Sequence, residues 1–239
     1  MTTVRASEKA ARRDFASPDE LAASLADQVA AALRGGIAAR GQASLLVSGG
    51  STPKRFFRAL AAKKLDWSKV AVSLVDERWV PPDSERSNAR LVVEHLLVGS
   101  AGAARFLRLY VQGKSVRQGA AELSALAART LARPFDAVIL GMGNDGHTAS
   151  FFPNADNLAT ALAPDAPPLV AIEVPGAGEP RITFALSELL NAGLLALHIE
   201  GAAKAATLAR ALAPGPVEDM PVRAVLRQRI TPLTIYWCP

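Results

Sequence analysis

The chain has 239 residues, half of them apolar, with a formal charge of +5 and a mean hydropathy of +0.17, enough for one large α/β domain or two small ones. No stretch reaches the roughly 18 uncharged apolar residues needed to span a membrane, and the single Cys238 excludes an internal disulfide and a Cys-based zinc site. The positive charge favours anionic ligands; the basic residues are scattered, with few aromatics among them, so a small phosphorylated metabolite is expected rather than nucleic acid.

Residues Pro18 to Arg40 carry Leu21, Leu25, Val29 and Leu33 at fourfold spacing. That predicts a helix capped by Ser17 or Asp19 and stopped at Gly35–Gly36 or Gly41. Ala43 to Val47 reads as a short buried strand. It runs into Ser48-Gly49-Gly50-Ser51-Thr52-Pro53 and a helical pattern through Phe56, Phe57 and Leu60. Val70 to Val75 is a second buried strand leading into Asp76-Glu77-Arg78-Trp79. A Pro/Ser-rich loop, a helix over about 87–98, a strand over 106–111 and an Ala/Leu helix over 115–131 follow.

Phe135 to Leu140 is a near-continuous apolar run between Pro134 and Gly141, the pattern of a strand buried on both faces. The chain then breaks at Gly141, Gly143 and Gly146, with Asp145 and His147 inside the break. Beyond Phe152 a loop with a short helix is expected, then a strand over Leu169 to Val174 and a loop over 175–180. Arg181 to Leu186 is strand-like and enters a short helix around Glu188. Leu194 to Ile199 is a strand stopped by Gly201. Helices over Ala202 to Leu212 and Val222 to Arg227 and a strand over Leu233 to Cys238 close the chain. Strands and helices alternate without repeat or linker. The expected fold is therefore α/β: a single domain over residues 1–239, a mostly parallel sheet with helices on both faces.

Four polar clusters come directly after predicted strands: Ser48 to Thr52, Asp76 to Arg78, Asn144 to His147, and Lys204 beyond Gly201. A parallel sheet gathers the carboxyl ends of its strands at one edge, so the four can share one site. The SGGST turn enters a helix N-terminus, where backbone N–H groups bind anions; a capped turn fits the same residues. Arg78 can fork two oxygens of a phosphate, and Arg181 and Lys204 are further cations of that kind; each alone also suits a solvated surface. His147 is the best candidate base, because an ordinary imidazole titrates near 6.5. Asp145, two residues away, can orient it, or can cap a turn. His95 inside RLVVEHLL and His198 inside an apolar strand read as structural, and without a histidine pair at ligand spacing no metal site is expected.

With LLVSGGSTP, VSLVDERWVPPDSERSN, FDAVILGMGNDGHTASFFP, RITF and IEGAAKAATL in that order, the chain resembles the 6-phosphogluconolactonases. Their superfamily also holds the glucosamine-6-phosphate isomerases/deaminases. The resemblance implies a Rossmann-like fold, hydrolysis of 6-phospho-D-glucono-1,5-lactone in the oxidative pentose phosphate pathway, and no organic cofactor. The isomerases carry a Glu before the proline in DGH-x-x-x-x-E-P and a tyrosine after Asp-Glu. Here those positions are Phe152 and Arg78, and both departures favour the lactonase.

On this reading His147 takes a proton from the attacking water and Asp145 orients the imidazole or binds a sugar hydroxyl. Backbone N–H groups from Gly143 to Gly146 would face the oxyanion. Ser48, Gly49, Gly50, Ser51 and Thr52, with Asp76, Arg78, Arg181 and Lys204, would hold the phosphorylated lactone. An aminosugar-phosphate isomerase/deaminase and a non-catalytic sugar-phosphate sensor are the rivals. The expected setting is a reducing cytoplasm, since MTTVRASEKAARRDF lacks the apolar segment of a secretory signal. A monomer or weak homo-oligomer that binds neither nucleic acid nor membrane is expected.

Overall fold

The computed structural model describes residues 10–173 and 178–239. In chain order, β1 (Ala11–Asp14) precedes α1 (Pro18–Arg40), β2 (Ala43–Val47) and α2 (Lys54–Ala61). Then come β3 (Val70–Leu74), β4 (Asp76–Arg78), α3 (Asn88–His95) and β5 (Arg105–Leu107). They are followed by α4 (Val116–Thr130), β6 (Phe135–Leu140), α5 (Leu158–Leu162) and β7 (Leu169–Ile172). β8 (Arg181–Phe184), α6 (Leu186–Leu189), β9 (Ala192–Glu200), α7 (Ala202–Leu212), α8 (Val222–Arg227) and β10 (Leu233–Cys238) complete the order.

Seven strands form a sheet in the order β1-β10-β9-β6-β2-β3-β5, and each neighbouring pair is parallel. Every residue of β2, β3 and β6 is buried. The centre of the sheet is thus covered on both faces, which is why these strands read as nearly continuous apolar runs, each broken by one buried polar residue, Ser44, Ser73 or Asp136. β6 lies between β2 and β9, so the chain after β6 emerges beside the SGGST turn and the start of α7.

The Ser17 hydroxyl accepts the Glu20 N–H at the start of α1, and Leu21, Leu25, Val29 and Leu33 are fully buried. Each such burial is worth about 1.5–3 kcal/mol. Together they outweigh the roughly 1 kcal/mol that each interior glycine costs a helix. The helix accordingly passes through Gly35–Gly36 and stops at Gly41, where φ is 73°. At Gly36 a Cβ would fall 2.0 Å from Asp136 Oδ1. That buried carboxylate pairs with Arg40 at 2.5 Å and accepts the Ser44 N–H at 2.8 Å, tying the end of α1 to β2 and β6.

The expected mostly parallel sheet is present, but it does not hold every strand. After Leu74 the chain leaves it, and Asp76–Arg78 forms the edge of an antiparallel sheet ordered β4-β8-β7. Strands of three or four residues carry too little pattern to reveal their direction. The strand expected over 106–111 is only Arg105–Leu107, an edge strand paired along Ala71–Ser73. The helix expected over 87–98 is Asn88–His95, capped by Ser87, whose hydroxyl accepts the Arg90 N–H. β1 has no apolar signal because all four of its residues are exposed; it is held to β10 through its backbone. Val174 and residues 175–177 of the expected strand and loop lie outside the described residues.

Candidate active site

A cavity of about 250 Å³ opens where β2, β6 and β9 end. The turn after β2 contributes Ser48, Gly49, Gly50, Ser51 and Thr52; the small sheet contributes Asp76, Arg78 and Arg181. The segment after β6 contributes Gly143 and His147, and the first turn of α7 contributes Lys204. All the expected site residues meet here except Asp145, which contacts His147 without lining the wall.

In the turn after β2, Gly50 has φ of 93°, a left-handed value that a Cβ would strain. Gly49 is glycine for lack of room, since a Cβ would meet Asn88 Oδ1 at 1.9 Å. The residue before α2 is Pro53, which has no side-chain group to cap the helix, so the capped-turn alternative fails. The turn and Pro53, at the start of α2, line the cavity, and a helix start carries open N–H groups and the positive end of its dipole. The Ser48 hydroxyl is otherwise engaged: it donates to Ile139 O at 3.0 Å and accepts the Gly141 N–H at 3.0 Å, joining β2 to β6.

The Asp76-Glu77-Arg78 cluster is no surface salt bridge. Asp76 and Glu77 are buried, and neither joins an ion pair among the described residues. Asp76 accepts the Ser150 hydroxyl at 2.6 Å. Glu77 accepts the Arg78, Asn88 and Ala89 N–H groups and the Ser87 hydroxyl, at 2.7–3.0 Å. Burial pushes the Glu77 carboxyl above its ordinary value, and these hydrogen bonds oppose the shift. The same carboxylate therefore anchors the start of α3 and the backbone of Arg78.

Arg78 and Arg181 stand directly opposite each other on β4 and β8. Like charges in that position repel. Each also has a buried Nε without a hydrogen-bond partner among the described residues. Burial lowers the Arg181 guanidinium; Asp76 opposes that shift and Arg78 adds to it. Two crowded guanidiniums with spare donors form a site short of negative charge. Lys204 is likewise pulled down by burial, against the attraction of Asp145.

After β6 the chain makes a compact loop. The Thr148 hydroxyl donates to Gly141 O at 2.7 Å, and the Gly143 N–H donates to His147 O at 2.8 Å. Asp145 Oδ1 lies 2.6 Å from His147 Nδ1 and also accepts the His147 N–H at 3.1 Å. Burial alone would raise the Asp145 carboxyl, but these bonds and the histidine's charge hold it down to about 2. The carboxylate fixes the tautomer with the proton on Nδ1, leaving the Nε2 lone pair as the basic position. Gly143 makes room for the pair: a Cβ there would sit 2.1 Å from His147 Nδ1 and 2.4 Å from Asp145 Oδ1. The expected oxyanion role for the whole run 143–146 is corrected in part. The Gly143 and Gly146 N–H groups are committed to His147 O and Gly143 O.

Several wall residues had no separate sequence signal. Asn88 donates from Nδ2 to Asp76 O at 3.0 Å and backs the turn at Gly49. His198 is a hydrogen-bonded core histidine as expected, 3.0 Å from Glu200 through Nε2, yet it also forms part of the wall. His147 lies against Phe152, ring centroids 4.1 Å apart, and the Arg181 guanidinium lies 4.8 Å over the same Phe152 ring. No cluster of metal-ligating side chains occurs among the described residues, nor does a helix long and apolar enough to cross a membrane.

The model of a family described as glucosamine-6-phosphate isomerases/6-phosphogluconolactonase matches residues 16–237. A 6-phosphogluconolactonase of Rhizobium meliloti is 54% identical over 94% of this chain and 97% of its own. One from Pseudomonas putida is 46% identical over 95% of this chain and 92% of its own. The crystal structure of a 6-phosphogluconolactonase from Shewanella baltica superposes with a TM-score of 0.93 at 41% identity, covering 98% of this chain and all of that one.

Proposed function

The chain belongs to the glucosamine-6-phosphate isomerase/6-phosphogluconolactonase family, and from that membership we propose that it hydrolyses 6-phospho-D-glucono-1,5-lactone to 6-phospho-D-gluconate. The observation that carries the reading is that one small cavity brings two anion-deficient arginines, Arg78 and Arg181, together with His147, whose Nδ1 is held by Asp145 behind the wall. A phosphate at one end and an ester at the other match that distribution of charge.

His147 Nε2 accepts a proton from a water as the water's oxygen attacks C1. Asp145 stabilises the imidazolium through the Nδ1–H bond. The tetrahedral oxyanion then collapses, the bond from C1 to the ring oxygen breaks, and His147 returns its proton to that oxygen. Lys204, at the start of α7 and within the field of Asp145, is a cation available to the phosphate or the developing charge. Arg78, Arg181 and the SGGST turn grip the phosphate and set C1 against the base. Phe152 favours hydrolysis over aminosugar isomerisation, because an aromatic ring packs on His147 from the position where the isomerases carry a glutamate. The setting proposed is the cytoplasm, with the chain a monomer or weak homo-oligomer.

A lactonase assay comparing the phosphorylated lactone with unphosphorylated gluconolactone tests the proposal. The phosphorylated substrate should be preferred by at least about 10²-fold in kcat/KM, as one or two charge-assisted contacts would give. Equal rates on both would refute the phosphate grip.

A further inference from the structure

We infer that Phe152 is a positioning residue that couples the general base to the phosphate grip, because its ring packs on both His147 and Arg181. The inference rests on the functional reading above. The loop after β6 brings this contact about: Phe151 N–H donates to Thr148 O at 3.0 Å, and Ala149 has φ of 48°. The chain so turns back that residue 152 meets the ring of residue 147. The imidazole and phenyl centroids are 4.1 Å apart and their planes 30° apart, so the contact is made on ring faces. The Arg181 guanidinium carbon is 4.8 Å from the same ring's centroid.

His147 is fixed at Nδ1 by Asp145, a bond about which the ring can still tilt. Arg181 Nε has no hydrogen-bond partner among the described residues. A flat ring restrains both planes without using a single donor, so Arg181 keeps its N–H groups for an anion and His147 keeps Nε2 for water. The electron-rich face also favours a cation. It therefore attracts Arg181 at all times and His147 only once the imidazole has taken its proton. An aliphatic side chain fills the same space but offers no such face.

The test is steady-state kinetics on the phosphorylated lactone with Phe152→Leu and Phe152→Tyr, alongside calorimetric titration with 6-phosphogluconate. Phe152→Leu is expected to lower kcat and raise KM together, each by about three- to tenfold, and to weaken 6-phosphogluconate binding by a similar factor. Phe152→Tyr keeps the ring and should restore all three to within about twofold of wild type. A Phe152→Leu enzyme with kcat, KM and affinity all unchanged would show that the ring is only filler and overturn the inference. Should the leucine variant fail to fold, Phe152→Met gives the same comparison. A wild-type chain that binds 6-phosphogluconate but hydrolyses no lactone refutes the functional reading alone, and the calorimetric comparison then decides the inference.

Discussion

Replacing Arg181 by Ala removes one of two guanidiniums that face each other across β4 and β8. Its effects on stability and on function should have different sizes and need not share a sign. Relief of the like-charge pair returns about 0.2–1 kcal/mol. Loss of the guanidinium from the Phe152 ring costs about 0.5–1 kcal/mol. These nearly cancel, so Tm should stay within about 2 °C of wild type for a chain of this length. Binding has no such cancellation. A charge-assisted contact to a phosphate is worth about 1.5–3 kcal/mol, so KM for the phosphorylated lactone should rise about 10- to 150-fold. Inorganic phosphate should raise the melting temperature of wild type but not of the variant. Thermal melts with and without phosphate, together with initial rates, read all three quantities. A fall in Tm beyond about 4 °C with KM unchanged would make Arg181 a structural residue and refute the reasoning.

His147→Ala should lower kcat about 10²–10⁴-fold with the melting curve intact; undiminished turnover would remove His147 as the base. Gly143→Ala drives a methyl into both members of the Asp145–His147 pair and should lower kcat by at least about tenfold with little change in KM, measured in the same assay. For Asp145, held down to about 2, the lowered value stabilises the fold above the ordinary aspartate value near 3.9 and is lost as pH falls toward 2. Acid melts of Asp145→Asn should therefore be flatter than wild type below about pH 4, by a small margin because the side chain is half exposed. Glu77→Gln leaves donors at the start of α3 short of acceptors and should cost about 1–3 kcal/mol in urea unfolding. A raised carboxyl adds stability below its ordinary value and loses it as pH climbs through the raised one, so this cost should shrink between acid and neutral pH.

The central strands were legible because burial on both faces leaves a nearly continuous apolar run, as in β2 and β6, broken only by Ser44 and Asp136. The site was legible because such strands all end on one edge, so polar clusters after Val47 and Leu140 had to converge. The small antiparallel sheet was hidden. Arg78 and Arg181 look like separate surface cations until the β4–β8 register places them face to face. Asn88 could not be singled out because its role depends on Gly49, far away in sequence, approaching without a side chain. The restraint of His147 by Phe152 depends on the loop turning back at Ala149, and a left-handed alanine has no sequence signal.

Turnover by the purified chain is the most direct test of lactone hydrolysis by the His147 base. Fresh 6-phospho-D-glucono-1,5-lactone is followed against its spontaneous hydrolysis, with unphosphorylated gluconolactone and glucosamine 6-phosphate in parallel. Hydrolysis of the phosphorylated lactone that disappears in His147→Ala, with no ammonia released from glucosamine 6-phosphate, is the predicted result. A lactone rate no faster than buffer, or ammonia release instead, would contradict it.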